Sequence, residues 1–74
     1  MIIYQNPEEF TNGSMSLLII ASMGVYTLFS RGNSLWVIGW NCQFYDGKNV
    51  TWDNGTYFEG DLQEALDLLR EKAA

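Results

Sequence analysis

Hydrophobic and polar positions alternate most regularly between Leu35 and Tyr45, where Trp36, Ile38, Trp40, Cys42 and Phe44 share one parity and Gly39, Asn41 and Gln43 the other. A period of two is the pattern of a half-buried strand, so one strand is predicted over residues 35–45, with the aromatic set facing the core. Gly39, on the other parity, marks a bend or the close approach of another backbone. Upstream, residues 15–22 carry large apolar groups on both parities, Met15/Leu17/Ile19/Ala21 and Leu18/Ile20, which suits a strand covered on both sides or a buried helix. Adjacent Ile19-Ile20 and the following Met23-Gly24 favour strand and tight turn, with the helix as the alternative. Residues 25–30 read as the next strand, and Arg31-Gly32-Asn33 supplies the positive-φ positions of a hairpin connection. Residues 1–5 form a short strand that Asn6-Pro7 ends, and Pro7 to Phe10 is a loop or a single helical turn stopped by Asn12-Gly13. After Asp46-Gly47, residues 50–58 read as two short strands turned by Asp53-Asn54-Gly55, completing an antiparallel meander.

A helix is predicted over residues 61–72. Asp61-Leu62-Gln63-Glu64 has the spacing of a capping box with aspartate as the acceptor, and Leu62, Ala65, Leu66, Leu69 and Ala73 share one face with Leu68 at its flank. Glu64, Asp67 and Glu71, at i, i+3 and i+7, project together from the other side as an acidic ridge, which Glu59 and Asp61 extend across the helix start. The expected fold is α+β: a single domain over residues 1–74 in which an antiparallel sheet of about four to five strands packs against one C-terminal helix.

Composition removes most enzyme chemistry. The chain has no histidine and one cysteine, so it cannot form a histidine-based triad, a Cys/His zinc site or an internal disulfide. Asp46, Asp53, Glu59 and Asp61, with Asn49 and Asn54, offer oxygen ligands, but not at the spacing of a calcium-binding loop, and Asx turn chemistry explains them. So small a domain leaves little room for a deep pocket in which two of these carboxylates could act as acid and base, and no Gly-rich phosphate loop is present. Neither an enzyme nor a cofactor is expected. Cys42 reads as a reduced thiol and small core group.

The uncharged run from Phe10 to Ser30 is interrupted by Asn12, Ser14, Ser16, Ser22, Gly24 and Thr27, and its apolar part is shorter than the ~20 residues of a spanning helix. The N-terminal residues lack the pattern of a signal peptide, so a cytoplasmic protein is expected and three Asn-x-Ser/Thr matches are discounted as chance.

Nine acidic residues oppose four basic ones, a formal charge of −5, and five of the nine acids lie between Glu59 and Glu71. Arg31, Lys48, Arg70 and Lys72 are too few and too scattered to neutralise a phosphate backbone, so nucleic acid is not a direct ligand. The partner that fits is a protein with a basic surface, and the residues expected to meet it are Glu59, Asp61, Glu64, Asp67 and Glu71. A one-layer sheet with one helix leaves its second face open, which makes Tyr45 and Trp52 further contact residues.

In size, charge and order of elements the chain is similar to small phage-encoded inhibitors of the anti-CRISPR and anti-restriction type. That resemblance implies a non-enzymatic inhibitor that occupies a nucleic-acid-binding surface by charge mimicry. The alternative is a self-associating structural or accessory domain, a homodimer joined through its exposed aromatic sheet face, with the helix acids merely solvated.

Overall fold

The computed structural model describes all residues from Met1 to Ala74. Eight strands precede one helix: β1 (Ile2–Ile3), β2 (Glu9–Asn12), β3 (Met15–Met23), β4 (Tyr26–Gly32), β5 (Leu35–Trp40), β6 (Gln43–Tyr45), β7 (Asn49–Thr51), β8 (Asn54–Glu59) and α1 (Leu62–Ala73). The α+β class and the single C-terminal helix on a mostly antiparallel sheet agree with the sequence reading, but the expected four to five strands become eight. The sheet runs β6-β7-β2-β3-β4-β5-β8, and β1 pairs with the Met23 end of β3.

The meander is real only from β2 to β5. Two tight turns hold its centre, with Gly32, Asn33 and Ser34 all at positive φ between β4 and β5, as the hairpin reading required. The segment from Glu9 to Asn12, expected as loop or helical turn, is a strand. It pairs with β3 from Glu9↔Leu18 to Asn12↔Met15, so Asn12-Gly13 turns a hairpin rather than stopping a helix. Residues 15–22 resolve as strand, which removes the helical alternative.

The double apolar parity of β3 has a specific cause. The pairing with β4 passes from Ile19↔Phe29 to Ala21↔Leu28, so Ile20 is an extra, bulged residue. A bulge reverses the facing of everything beyond it. Leu17 and Ile19 therefore pack into one core with Phe29, Val37 and Val50, whereas Ala21 packs into a second with Leu28, Trp36, Ile38, Ala65 and Leu69. One sheet thus carries a core on each face.

The helix covers the second of these cores. Ala65 and Leu69 are fully buried and Leu66 and Leu68 partly so, while Leu62, predicted for the core stripe, is 51% exposed. The indole Nε1 of Trp36 donates to the carbonyl of Gly60 at 2.8 Å, tying the residue before the helix cap to the sheet.

The opposite face was expected to lie open; instead the sheet curls over it. β7 joins β2 in parallel through Thr11↔Asn49, and the amide of Thr11 donates to the carbonyl of Lys48 at 2.8 Å. Thr11 Oγ1 also donates to Asn49 Oδ1, and Asn12 Nδ2 to the carbonyl of Val50. The curled edge carries Phe44 and Val50 onto Phe29, and Phe10 meets Phe44 edge-on with ring centres 5.2 Å apart.

This curl requires the chain to leave β5, and the single strand over 35–45 accordingly breaks in two. Asn41 adopts φ of 57°, its amide donates to the carbonyl of Val25, and its Nδ2 donates to Asp53 Oδ2 at 2.7 Å. Beyond the break the alternation loses its meaning: Cys42 packs in the Phe29 core, away from Trp36 and Ile38, and Phe44 is half exposed. Residues 50–58 correct likewise, since β7 pairs with β2 and β6, and β8 pairs with β5. Asp53-Asn54-Gly55 is therefore no hairpin turn.

Gly39 and Gly55 face each other across β5 and β8, making a bare patch on which the Trp52 indole lies. A Cβ at Gly39 would stand 2.7 Å from Cys42 Sγ and 3.1 Å from the Trp52 ring, and one at Gly55 would stand 2.5 Å from Trp52 Nε1. The close approach expected at Gly39 is thus made by two side chains. We expect Gly39→Ala to lower unfolding free energy by about 1–3 kcal/mol, and removal of the sulfur in Gly39→Ala/Cys42→Ala to recover part of that loss. Urea denaturation of both variants checks this, and an additive double variant would contradict the steric account.

Candidate binding surface

Helix α1 begins because Asp61 caps it. The Asp61 carboxylate accepts from the amide of Glu64 at 2.8 Å, and Glu64 Oε1 accepts from the amide of Asp61 at 3.0 Å, closing the predicted capping box. Two otherwise unpaired donors are satisfied and negative charge sits at the positive end of the helix dipole. We expect Asp61→Ala to cost about 1 kcal/mol. A fall of several degrees in the thermal midpoint would register it, and an unchanged midpoint would mean that the cap contributes nothing.

With Ala65 and Leu69 held against the sheet, the outward face presents Glu64, Asp67 and Glu71, all exposed, and Glu59 is exposed at the end of β8. These carboxylates are not equivalent. Asp67 accepts from Arg70 Nη1 at 3.1 Å and from Gln63 Nε2 at 3.0 Å, so its charge is partly answered within the chain. Glu64 is engaged in the cap. Glu71 and Glu59 have no basic partner, which makes them the freest charges of the group. The exposed Asp67–Arg70 pair is screened by solvent and holds the local charge only weakly.

Tyr45 and Trp52 are separated from the helix acids by the thickness of the sheet, whereas Glu59 shares the parity of Gly55 and Tyr57 on β8 and so lies on the Trp52 side. Trp52 packs in the Phe29 core, 5.7 Å from that ring and 6.4 Å from Tyr57, and it covers the two glycines. Its place is explained by packing. Tyr45 is 55% exposed on β6, at the curled edge. The helix acids and this pair therefore do not form one continuous surface. Burial pushes the Cys42 thiol above its usual range, with a smaller opposing effect from its hydrogen bond to Thr27, consistent with a packing role.

Sequence reasoning missed an exposed aromatic on the helix side of the sheet. The alternation over residues 35–45 places Trp40 in the core, yet it is 42% exposed at the end of β5, in a cross-strand row with Tyr26 on β4 and Asn54 on β8. Trp36 and Ile38, on the same parity, lie under α1, and the helix ends before it covers Trp40. The signal available in the sequence was helix length: 12 residues extend only about 18 Å.

Arg31 lies over the Tyr57 ring, 5.3 Å from its centre, and Lys48 pairs with Glu8 beside Phe10. No helix of the protein is long and apolar enough to cross a membrane, and the uncharged run from Phe10 to Ser30 forms strands. Compared with known proteins, the chain matches no family model, no curated protein and no solved structure.

Proposed function

We propose that this is a small non-enzymatic binding protein that docks the outer face of α1 on a basic, nucleic-acid-binding surface of a larger cytoplasmic protein, placing carboxylates where phosphates would lie. Such an action is of the phage anti-CRISPR or anti-restriction kind. The observation that carries the reading is a helix packed on the sheet whose capped start and exposed face hold Asp61, Glu64, Asp67 and Glu71 against a single base, Arg70, with Glu59 on the strand that leads into it. Complementary charge accelerates encounter and aligns the partners, while a docked helix keeps the carboxylate spacing fixed. Tyr45 and Trp52 lie across the sheet from the helix acids, so this reading rests on the acids and not on those two side chains. The alternative, self-association, would have to use the aromatics left half exposed, Phe44, Tyr45 and Tyr57, because β6 and β7 fold over the rest of that face.

The test is competition. A protein captured by the immobilised chain should bind nucleic acid and release it as the chain is added, with an apparent affinity that falls steeply as salt rises. A captured protein that binds the chain and nucleic acid simultaneously would overturn the proposal.

A further inference from the structure

We infer that the cleft at the C-terminal end of α1 is a binding site for a small planar monoanion, an aromatic carboxylate. The cleft has a volume of about 310 Å³ and is lined by Tyr26, Ile38, Trp40, Asn54, Thr56 and Lys72. Its floor is set by strand register: Tyr26, Trp40 and Asn54 stand side by side across β4, β5 and β8, and Ile38 and Thr56 form the adjoining row. Lys72, in the last turn of α1, forms one wall.

Charge points to an anion. In a chain of net charge −5, no carboxylate side chain lines this cleft. Three of the four bases have partners: Arg31 has the Tyr57 ring, Lys48 has Glu8 and Arg70 has Asp67. Lys72 has neither a carboxylate side chain nor a ring. Its place near the negative end of the helix dipole accounts for a base there, but not for the donors gathered around it. The Trp40 indole N–H, the Tyr26 and Thr56 hydroxyls and the Asn54 amide make no side-chain hydrogen bond within the chain. All can donate, as can the ammonium group.

The class of anion follows from count and shape. One ammonium group matches one carboxylate, whereas a phosphate dianion would remain half unanswered within an acidic protein. Half-exposed Trp40 beside Tyr26 offers aromatic surface to a planar ring, and the volume lies at the small end of ligand sites, which limits the body to one or two rings.

The test is a nitrogen-edited NMR titration of the full chain with benzoate, and with benzamide as its neutral counterpart. Benzoate should give saturable shifts at the Trp40 indole N–H, the Asn54 side-chain amide and the backbone of Tyr26 and Thr56, with benzamide at least about tenfold weaker. Lys72→Met, which keeps an apolar stem on an accessible side chain, should reduce benzoate binding to the benzamide level while leaving the circular dichroism spectrum intact. Equal binding of the two probes, shifts centred elsewhere, no saturation by about 10 mM, or full affinity in Lys72→Met would each overturn the assignment. None of these outcomes bears on docking by the acidic face, so the two readings fail separately.

Discussion

Replacing Phe29 with alanine is expected to lower the unfolding free energy by about 3–5 kcal/mol, the largest loss from any single side chain considered. Phe29 is fully buried on a central strand, with Val37 and Val50 in its core and the rings of Phe44 and Trp52 at 6.5 and 5.7 Å. The truncation removes the transfer energy of the ring and leaves a cavity between two layers that cannot close, because β6 and β7 are anchored elsewhere through β2. Domains of this length hold a total stability of order 5 kcal/mol, so the variant should retain at most about 2 kcal/mol and unfold at much lower urea than the parent. Urea denaturation followed by tryptophan fluorescence measures the loss. Tyr45→Ala, at an exposed position on the same curled edge, is the control and should stay within about 0.5 kcal/mol of the parent. A Phe29→Ala variant as stable as that control would mean that the core around Phe29 is not formed.

Leu69→Ala is expected to cost about 2–5 kcal/mol and to act on function as well as stability. Leu69 is fully buried with Ala65 against Leu28, Trp36 and Ile38, and no other side chain of α1 is buried to that depth. A 12-residue helix is marginal without tertiary packing, so weakening this contact should let α1 open locally while the sheet persists. Every carboxylate would remain on the chain, but no longer at fixed spacing. Hydrogen exchange should show amides of α1 losing protection well before those of β3, β4 and β5. Uniform loss across the chain would show instead that helix and sheet unfold as one unit.

What was legible in the sequence is what neighbours along the chain determine. The capping box of Asp61 and Glu64, the turn at Gly32-Asn33 and the helical spacing that puts Ala65 and Leu69 on one face and Glu64, Asp67 and Glu71 on the other are all set by residues a few positions apart. The strand at Glu9–Asn12 was missed because its composition is polar and its Asn-Gly turn serves equally to stop a helix or to close a hairpin. The break at Asn41 and the covered second face arise from pairings such as Thr11↔Asn49, distant in sequence, to which a local period of two is blind. Ile20 shows the same limit, since a bulge turns one apolar parity into two opposed faces. Among the site residues, the acids were legible as a helical spacing, whereas Trp52 read as a free aromatic because the glycine pair beneath it comes together only in the sheet.

The structure also refines which charges can be tested. Reversing Glu64 would remove half of the capping box, so weakened binding could not be separated from a frayed helix. Glu59 and Glu71 carry no such duty, and Asp67 can be neutralised without setting a new lysine beside Arg70. The most direct measurement is therefore the affinity of Glu59→Lys/Asp67→Asn/Glu71→Lys for the captured partner, at low and at physiological salt, with the helical circular dichroism signal as the check on folding. The account predicts a loss of at least about tenfold at low salt and a flatter salt dependence than the parent; undiminished affinity in a variant that keeps its helix would contradict it.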